Sequence, residues 1–338
     1  MPAVNCFSPC GERSLQSASE PVAACLASQG GRSPERASFA AGSLGAAARF
    51  LASAPRLGNL AVDALLEEAR LTPKPALVDQ RGRGAHHDLD LATMVRSAEV
   101  LRATFEALAQ AGLGATASQA LREQLAMLGR DGERAMLAAT GGSNTHRGAI
   151  WIVGLLVAGA AIVMNDLERG ALAQMTQLPK RICSTAAEIA QHPDRFAPRV
   201  ESNGSRVVRQ YQVGGARQEA RDGFPHVIEI GLPALHAARA RGIGETHAQL
   251  DTLLAIMATL GDTCLLHRGG PAALRVAQQG AHRVLALGGS SLPEGYAALL
   301  ALDALLIEMH ASPGGAADLL AATLFVDKLL DWTYYQEA

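Results

Sequence analysis

Ala149-Ile150-Trp151-Ile152-Val153-Gly154-Leu155-Leu156-Val157-Ala158-Gly159-Ala160-Ala161-Ile162-Val163-Met164 is the stretch that decides the fold. It carries no charge. As a helix it would be roughly 24 Å long, short of the roughly 30 Å of a bilayer's hydrocarbon. Asn165, Asp166 and Glu168 follow at once. The run therefore reads as a buried core helix rather than a membrane span. Gly154 and Ala158, one turn apart, predict that a neighbouring helix comes close.

The rest of the chain agrees with a helical core. Of 338 residues, 49% are hydrophobic but only 4% aromatic. The apolar mass is mainly Ala and Leu, strong helix formers, which argues against an all-β fold. Lys+Arg number 30 and Asp+Glu 32, a net charge of −2. That balance excludes a generic basic surface for nucleic acid and an acidic disordered tail. The five cysteines, Cys6, Cys10, Cys25, Cys183 and Cys264, are odd in number and lack zinc spacing. With no basic and apolar leader at the start, a reduced cytoplasmic protein is expected.

Residues 1–42 are rich in Ser, Ala, Gly and Pro and hold no apolar period, so they read as a disordered extension. Residues 43–338 read as one all-α catalytic domain. Leu60, Val62, Leu65, Leu66 and Ala69 form an apolar stripe, with Glu67, Glu68 and Arg70 expected opposite it. A second stripe runs from Leu91 to Phe105 and ends at Gly112. Further helices are expected over 116–129, 131–139, 147–165, 171–191, 245–261, 271–286, 294–310 and 313–330. Val207 to Val213 reads as a short extended piece, broken by Gly214-Gly215.

Of the 34 glycines, 12 fall in five polar corners where these helices are expected to stop. The first is Lys74 to Asp79 with Gly84 to Asp90. The second is Gly141-Gly142-Ser143-Asn144-Thr145-His146-Arg147-Gly148, directly before the apolar run. Its Ser, Asn and Thr can cap a helix whose dipole favours an anion, and Arg147 adds a forked donor. The third corner is Gly204 to Pro225, with Arg217, Glu219 and Arg221. The fourth is Asp262 to Gly270, with Arg268, Gly269 and Gly270. In the fifth, Ser312 to Asp318, Gly314 and Gly315 are costly in a first helical turn unless something must approach closely. Asp318 then projects from an otherwise apolar helix, as a solvated residue, a base or a metal ligand. Asp88 or Asp90 could hold Mg²⁺. No Walker A loop, dinucleotide fingerprint or serine-hydrolase elbow is present.

Taken in order, these corners resemble the triphosphoribosyl-dephospho-CoA synthase family. The matching pieces are Lys74-Pro75…Leu77-Val78-Asp79, Gly84-Ala85-His86…Asp88, Asn144 to Gly148, Glu219-Ala220…Gly223-Phe224-Pro225, Asp262-Thr263…Arg268-Gly269-Gly270 and Ser312 to Ala321. The resemblance runs from about Leu57 to Leu330. The wording of Gly141 to Gly148 and of Leu71 to Pro75 is similar to the malonate decarboxylase branch; the citrate lyase branch commonly has Lys at the Arg147 position. Ala76 stands where the family usually has Gly.

The resemblance implies a helical, Mg²⁺-using transferase. ATP and 3′-dephospho-CoA would be joined with loss of adenine, and the product passed to a separate transferase that loads an acyl carrier subunit. For that chemistry the cations would be Lys74, Arg147 and Arg268. Gly141, Gly142, Ser143, Asn144, Thr145, Gly269, Gly270, Gly314 and Gly315 would complete the substrate site. Mg²⁺ would sit on Asp88, Asp262 or Asp318, the base would be Asp318 or Asp262, and His146 would donate to adenine or phosphate. A competing reading of the same residues is an all-α, Mg²⁺-dependent nucleotide or phosphoester hydrolase.

Overall fold

The computed structural model describes residues 53–167, 177–197 and 202–334. The extension expected over 1–42 lies outside them. The described chain is helical, with no strand and one isolated bridge, Asp79 to Gly82. Helix α1 covers Ala54–Arg70, α2 Leu91–Val100, α3 Arg102–Gly112, α4 Gln119–Ala139 and α5 Arg147–Leu167. Then come α6 (Leu178–Gln191), α7 (Asn203–Tyr211), α8 (Gly215–Arg221), a π-helical segment (His226–Gly231) and α9 (Leu232–Ala240). The chain closes with α10 (Glu245–Thr259), α11 (Thr263–Ala286), α12 (Pro293–Glu308) and α13 (Gly314–Tyr334).

Helix α5 is the apolar run, and it is the axis of the fold. Among the described helices it is by itself long and apolar enough to cross a membrane, but 83% of its apolar window is buried in the protein. It packs against α3, α4, α6 and α13, while α1 packs against α3 and α13. Small residues set these distances, as the sequence predicts. A Cβ on Gly154 would come to 2.9 Å from Leu108 of α3, and one on Gly112 of α3 to 2.6 Å from the Ala158 carbonyl. Burial of Leu57, Leu65, Phe105, Ile152, Leu156 and Phe325 fills the space between these helices. At about 25 cal/mol per Å² of apolar surface, that packing is the main stabilising term.

Several expectations are corrected. Val207 to Tyr211 belongs to helix α7, not to an extended piece. Ser202 accepts from the Ser205 N–H at 3.1 Å and starts it, and Val207 turns inward; β-branched residues lower helix propensity without forbidding a capped helix. The stretches 116–129 and 131–139 are one helix, α4. The stripe from Leu91 splits at Leu101 into α2 and α3. Helix α11 begins at Thr263, and Gly270 (φ 65°, ψ −166°) bends it before Pro271. Glu68 is not opposite the apolar stripe of α1; it is 3% exposed.

Candidate active site between the helix starts

The start of α5 meets the start of α13. Asp318, one turn into α13, accepts a hydrogen bond from the Ala149 N–H. Its carboxylate lies so close to Gly148 that a Cβ there would overlap Asp318 Oδ2. The anion at the α5 start is thus one of the chain's own carboxylates. The Arg147 N–H is also engaged, by Asn144 Oδ1 at 3.3 Å. Asp318 remains partly exposed. Burial, then the charges of Glu68 and Asp262, push its carboxyl well above the usual range, and the Ala149 N–H only partly opposes them.

Asp262 looks similar in sequence and differs in its bonding. It caps α11, Oδ1 accepting from Cys264 N–H at 2.7 Å and Leu265 N–H at 3.3 Å. Its Oδ2 accepts from Ala316 N–H of α13 at 3.0 Å, and Gly315 N–H adds a further bond. One buried carboxylate therefore ties two helix starts together. Burial raises its pKa, against these four backbone donors. The approach that Gly314 and Gly315 permit is internal. A Cβ on Gly315 would stand 3.0 Å from Asp262 Oδ1, and one on Gly314 3.0 Å from Cys264 Sγ.

Beneath this pair lies a buried ion pair. Lys74 Nζ donates to Glu68 Oε1 at 2.5 Å and to the Glu68 carbonyl at 2.7 Å, and Lys74 is 1% exposed. Its charge is spent on Glu68, so it faces a substrate only through that partner. His146 is 2% exposed. Its Nδ1 is 2.7 Å from Ser97 Oγ, which also meets Thr145 Oγ1 at 2.5 Å. Its Nε2 is buried without a partner among the described residues. Burial, helped by the Lys74 charge, pushes the imidazole down to about 4, so it is neutral near pH 7.

The first, second and fourth corners are joined to one another. Arg268, exposed on α11, has Nη2 3.1 Å from His86 Nδ1. His86 is pushed down to about 4 by burial and then by Arg268. Ser143 Oγ donates to the Asp88 carbonyl at 3.4 Å. Asp88 is exposed, while Asp90 caps α2 by accepting from Thr93 N–H at 2.8 Å. Arg147 is exposed and paired with Glu133. Gly141 and Gly142 have φ of 64° and 92° and open space where a Cβ would be. Gly269 packs against Ala273 and Ala311, and Gly270 makes the α11 bend.

The first corner is strapped down by Arg81, which bridges Asp79 and Asp303, each at 2.8 Å. Asp303 Oδ1 also accepts from Ala76 N–H at 2.7 Å. Ala76 has φ 56°, the left-handed conformation that favours glycine. The third corner does not join the centre. Glu219 accepts from the N–H of His226 at 2.9 Å and from its ring at 2.7 Å, fixing the start of the π-helical segment.

Glu68 and Ser97 are the members of the centre that motif reading passed over. Leu57, Ala61, Ala64 and Glu68 share one helical face, and that register was the available signal for Glu68. Ser97 carries no comparable mark. Among the described residues no three His, Cys, Asp or Glu side chains are grouped to hold a metal by themselves. Mg²⁺ fits differently, through one or two carboxylates plus substrate phosphates. Asp318, partly exposed and faced by two further carboxylates, suits that role; Asp262, filled by backbone donors, does not.

A family model described as ATP:dephospho-CoA triphosphoribosyl transferase matches residues 54–337. A 2-(5''-triphosphoribosyl)-3'-dephosphocoenzyme-A synthase of Klebsiella pneumoniae is 52% identical over 273 residues, 81% of this chain and 94% of that protein. A protein of Azotobacter vinelandii carrying the same name, qualified as probable, is 53% identical over 278 residues, 82% of this chain and 92% of its own. No solved structure matches. The helical domain with its carboxylate centre is thus an all-α enzyme of the transferase class. The chain belongs to the ATP:dephospho-CoA triphosphoribosyl transferase family.

Proposed function

We propose that this chain joins ATP to 3′-dephospho-CoA, giving 2′-(5″-triphosphoribosyl)-3′-dephospho-CoA and free adenine. The 2′-hydroxyl oxygen of dephospho-CoA bonds to C1′ of the ATP ribose as the bond from C1′ to adenine breaks; the triphosphate stays intact. The observation that carries the reading is Asp318: a partly exposed carboxylate at the meeting of two helix starts, its pKa pushed up by burial, Glu68 and Asp262. A base for a weakly acidic hydroxyl needs that upward shift. Asp318 takes the hydroxyl proton. His146, neutral and with Nε2 unpartnered among the described residues, offers a hydrogen bond to the departing adenine, which takes up a proton from water while the hydroxyl proton leaves through Asp318. Arg147 and Arg268 receive the triphosphate beside the open backbone of Gly141 and Gly142. Lys74 holds Glu68 in place.

Mg²⁺ would accompany ATP in this reading, held by Asp88 where Asp318 serves as the base, and would supply charge neutralisation for the polyphosphate. The wording of Gly141 to Gly148 supports the malonate decarboxylase branch, with the product handed to a separate transferase that loads the acyl carrier subunit. The enzyme would work in the cytoplasm, without nucleic acid or membrane, with residues 43–338 as its catalytic domain. Incubation with Mg-ATP and 3′-dephospho-CoA tests this: adenine should appear only when both are present, with a product of the summed mass less adenine. Phosphate release from ATP alone would instead favour a hydrolase.

A further inference from the structure

Outside the centre, arginines gather around one tryptophan. Trp151, on α5, donates from Nε1 to the Ala216 carbonyl at 3.1 Å, which brings α8, the helix that carries Arg217, to the ring edge. The Arg122 guanidinium of α4 lies over the ring face, 4.7 Å from its centroid. Arg122 is 6% exposed, and its Nε is buried without a hydrogen-bond partner among the described residues. The charges facing it are those of Asp194, Arg217, Arg130 and Arg221, with Glu123 also near. Both carboxylates are committed elsewhere: Asp194 pairs with Arg130 at 2.6 Å, and Glu123 with Arg195. Arg221 Nε donates to the Ala190 carbonyl at 3.4 Å. Arg217 is exposed.

Such a cluster is costly by itself. A buried charge is tolerated when it is paired and hydrogen-bonded, and like charges beside it raise the cost. Stacking on Trp151 offsets part of this but leaves the donors unused. An anion with several acceptor oxygens would use them, since forked guanidiniums match phosphate geometry. We propose that Arg122, Arg217 and Arg221, with Trp151 as their platform, form a binding site for a phosphate or diphosphate group. This group comes either from the diphosphate of the CoA-type substrate, which rests on the function proposed above, or from a free phosphorylated ligand.

Trp151 is the reporter. The chain has two tryptophans, so Trp332→Phe in the full chain leaves Trp151 alone. Inorganic pyrophosphate should change its emission saturably. Arg217→Ala, an exposed change on α8, should weaken that binding by roughly tenfold or more, as expected for one lost charged hydrogen bond. Arg122→Lys, which keeps the charge and loses the fork, should weaken it too. Arg147→Ala should leave the Trp151 response in place. If the group belongs to the substrate, Arg217→Ala raises KM for dephospho-CoA and spares kcat and KM for ATP. If the ligand is free, Arg217→Ala loses pyrophosphate binding with KM unchanged. No saturable response, or an unchanged affinity in Arg217→Ala, would overturn the site. The binding arm reads the same whether or not adenine release is found.

Discussion

Two glycine-rich helix starts, alike in composition, owe their glycines to opposite causes. At 141–142 the glycines have positive φ and nothing within reach of a Cβ. Their need is conformational, and the space they leave faces outward. At 314–315 the backbone is ordinary and the space is taken, by Cys264 Sγ and the Asp262 carboxylate. Gly148 belongs with the second kind, crowded by Asp318. Glycine next to a helix start therefore marks a ligand only when the chain has not filled the gap itself.

The sharpest test is Gly148→Ala. The added methyl meets Asp318, so overpacking of about 1–3 kcal/mol is expected, together with loss of adenine release. Near-parental melting and turnover would show that the two helix starts are less closely joined than described. Next in size, Asp318→Asn should cut turnover roughly a hundredfold or more, the scale of a lost general base. Its melting temperature should hold or rise, because a charge faced by Glu68 and Asp262 is gone. Asp262→Ala should do the reverse and destabilise by about 2–4 kcal/mol, through a lost cap and orphaned buried amides. Equal melting temperatures in the two variants would erase the distinction between the aspartates.

Acid should expose the buried imidazole. Its folded pKa, about 4, lies below the ordinary 6.5. Its contribution is therefore fully present above about 6.5 and lost as pH falls toward 4, up to roughly 3 kcal/mol. The drop in melting temperature from pH 7 to 4.5 should be smaller in His146→Gln than in the parent. Asp318, pushed upward, acts with the opposite sign and loses its contribution as pH rises. The smallest effect is expected of Gly141→Ala: about 1 kcal/mol from the left-handed backbone, read in a melt. A cost as large as that of Gly148→Ala would mean that Gly141 is crowded after all.

Periodicity was enough for the helical class and for the central helix, because a charge-free run ending in Asn165 and Asp166 has few other ways to be buried. It was poorest where two short-range preferences disagree. Val207-Val208 favours an extended chain, yet the Ser202 cap and one inward valine make a helix of it. The centre was legible where polar residues interrupt an apolar pattern, as at Asp318. For Glu68 two signals conflict: its register with Leu57, Ala61 and Ala64 points inward, while its neighbours Glu67 and Arg70 suggest a solvated face. Spacing could not say that Lys74 is spent on Glu68, since their bond joins a helix to the corner after it and depends on how the chain turns there.

Ala76 shows what such dependence costs over the course of change. Its left-handed backbone is held on both sides, its N–H by Asp303 and its carbonyl by the Ala85 N–H at 2.9 Å. A non-glycine residue persists in that region only when its surroundings over-determine it. The alanine is thus permitted by Asp303, a residue far away in the sequence. Loss of Asp303 should harm this chain more than its Ala76→Gly variant, in which the turn needs no such support. The two positions form an epistatic pair: in a lineage that carries alanine at this turn, the aspartate is no longer free to drift.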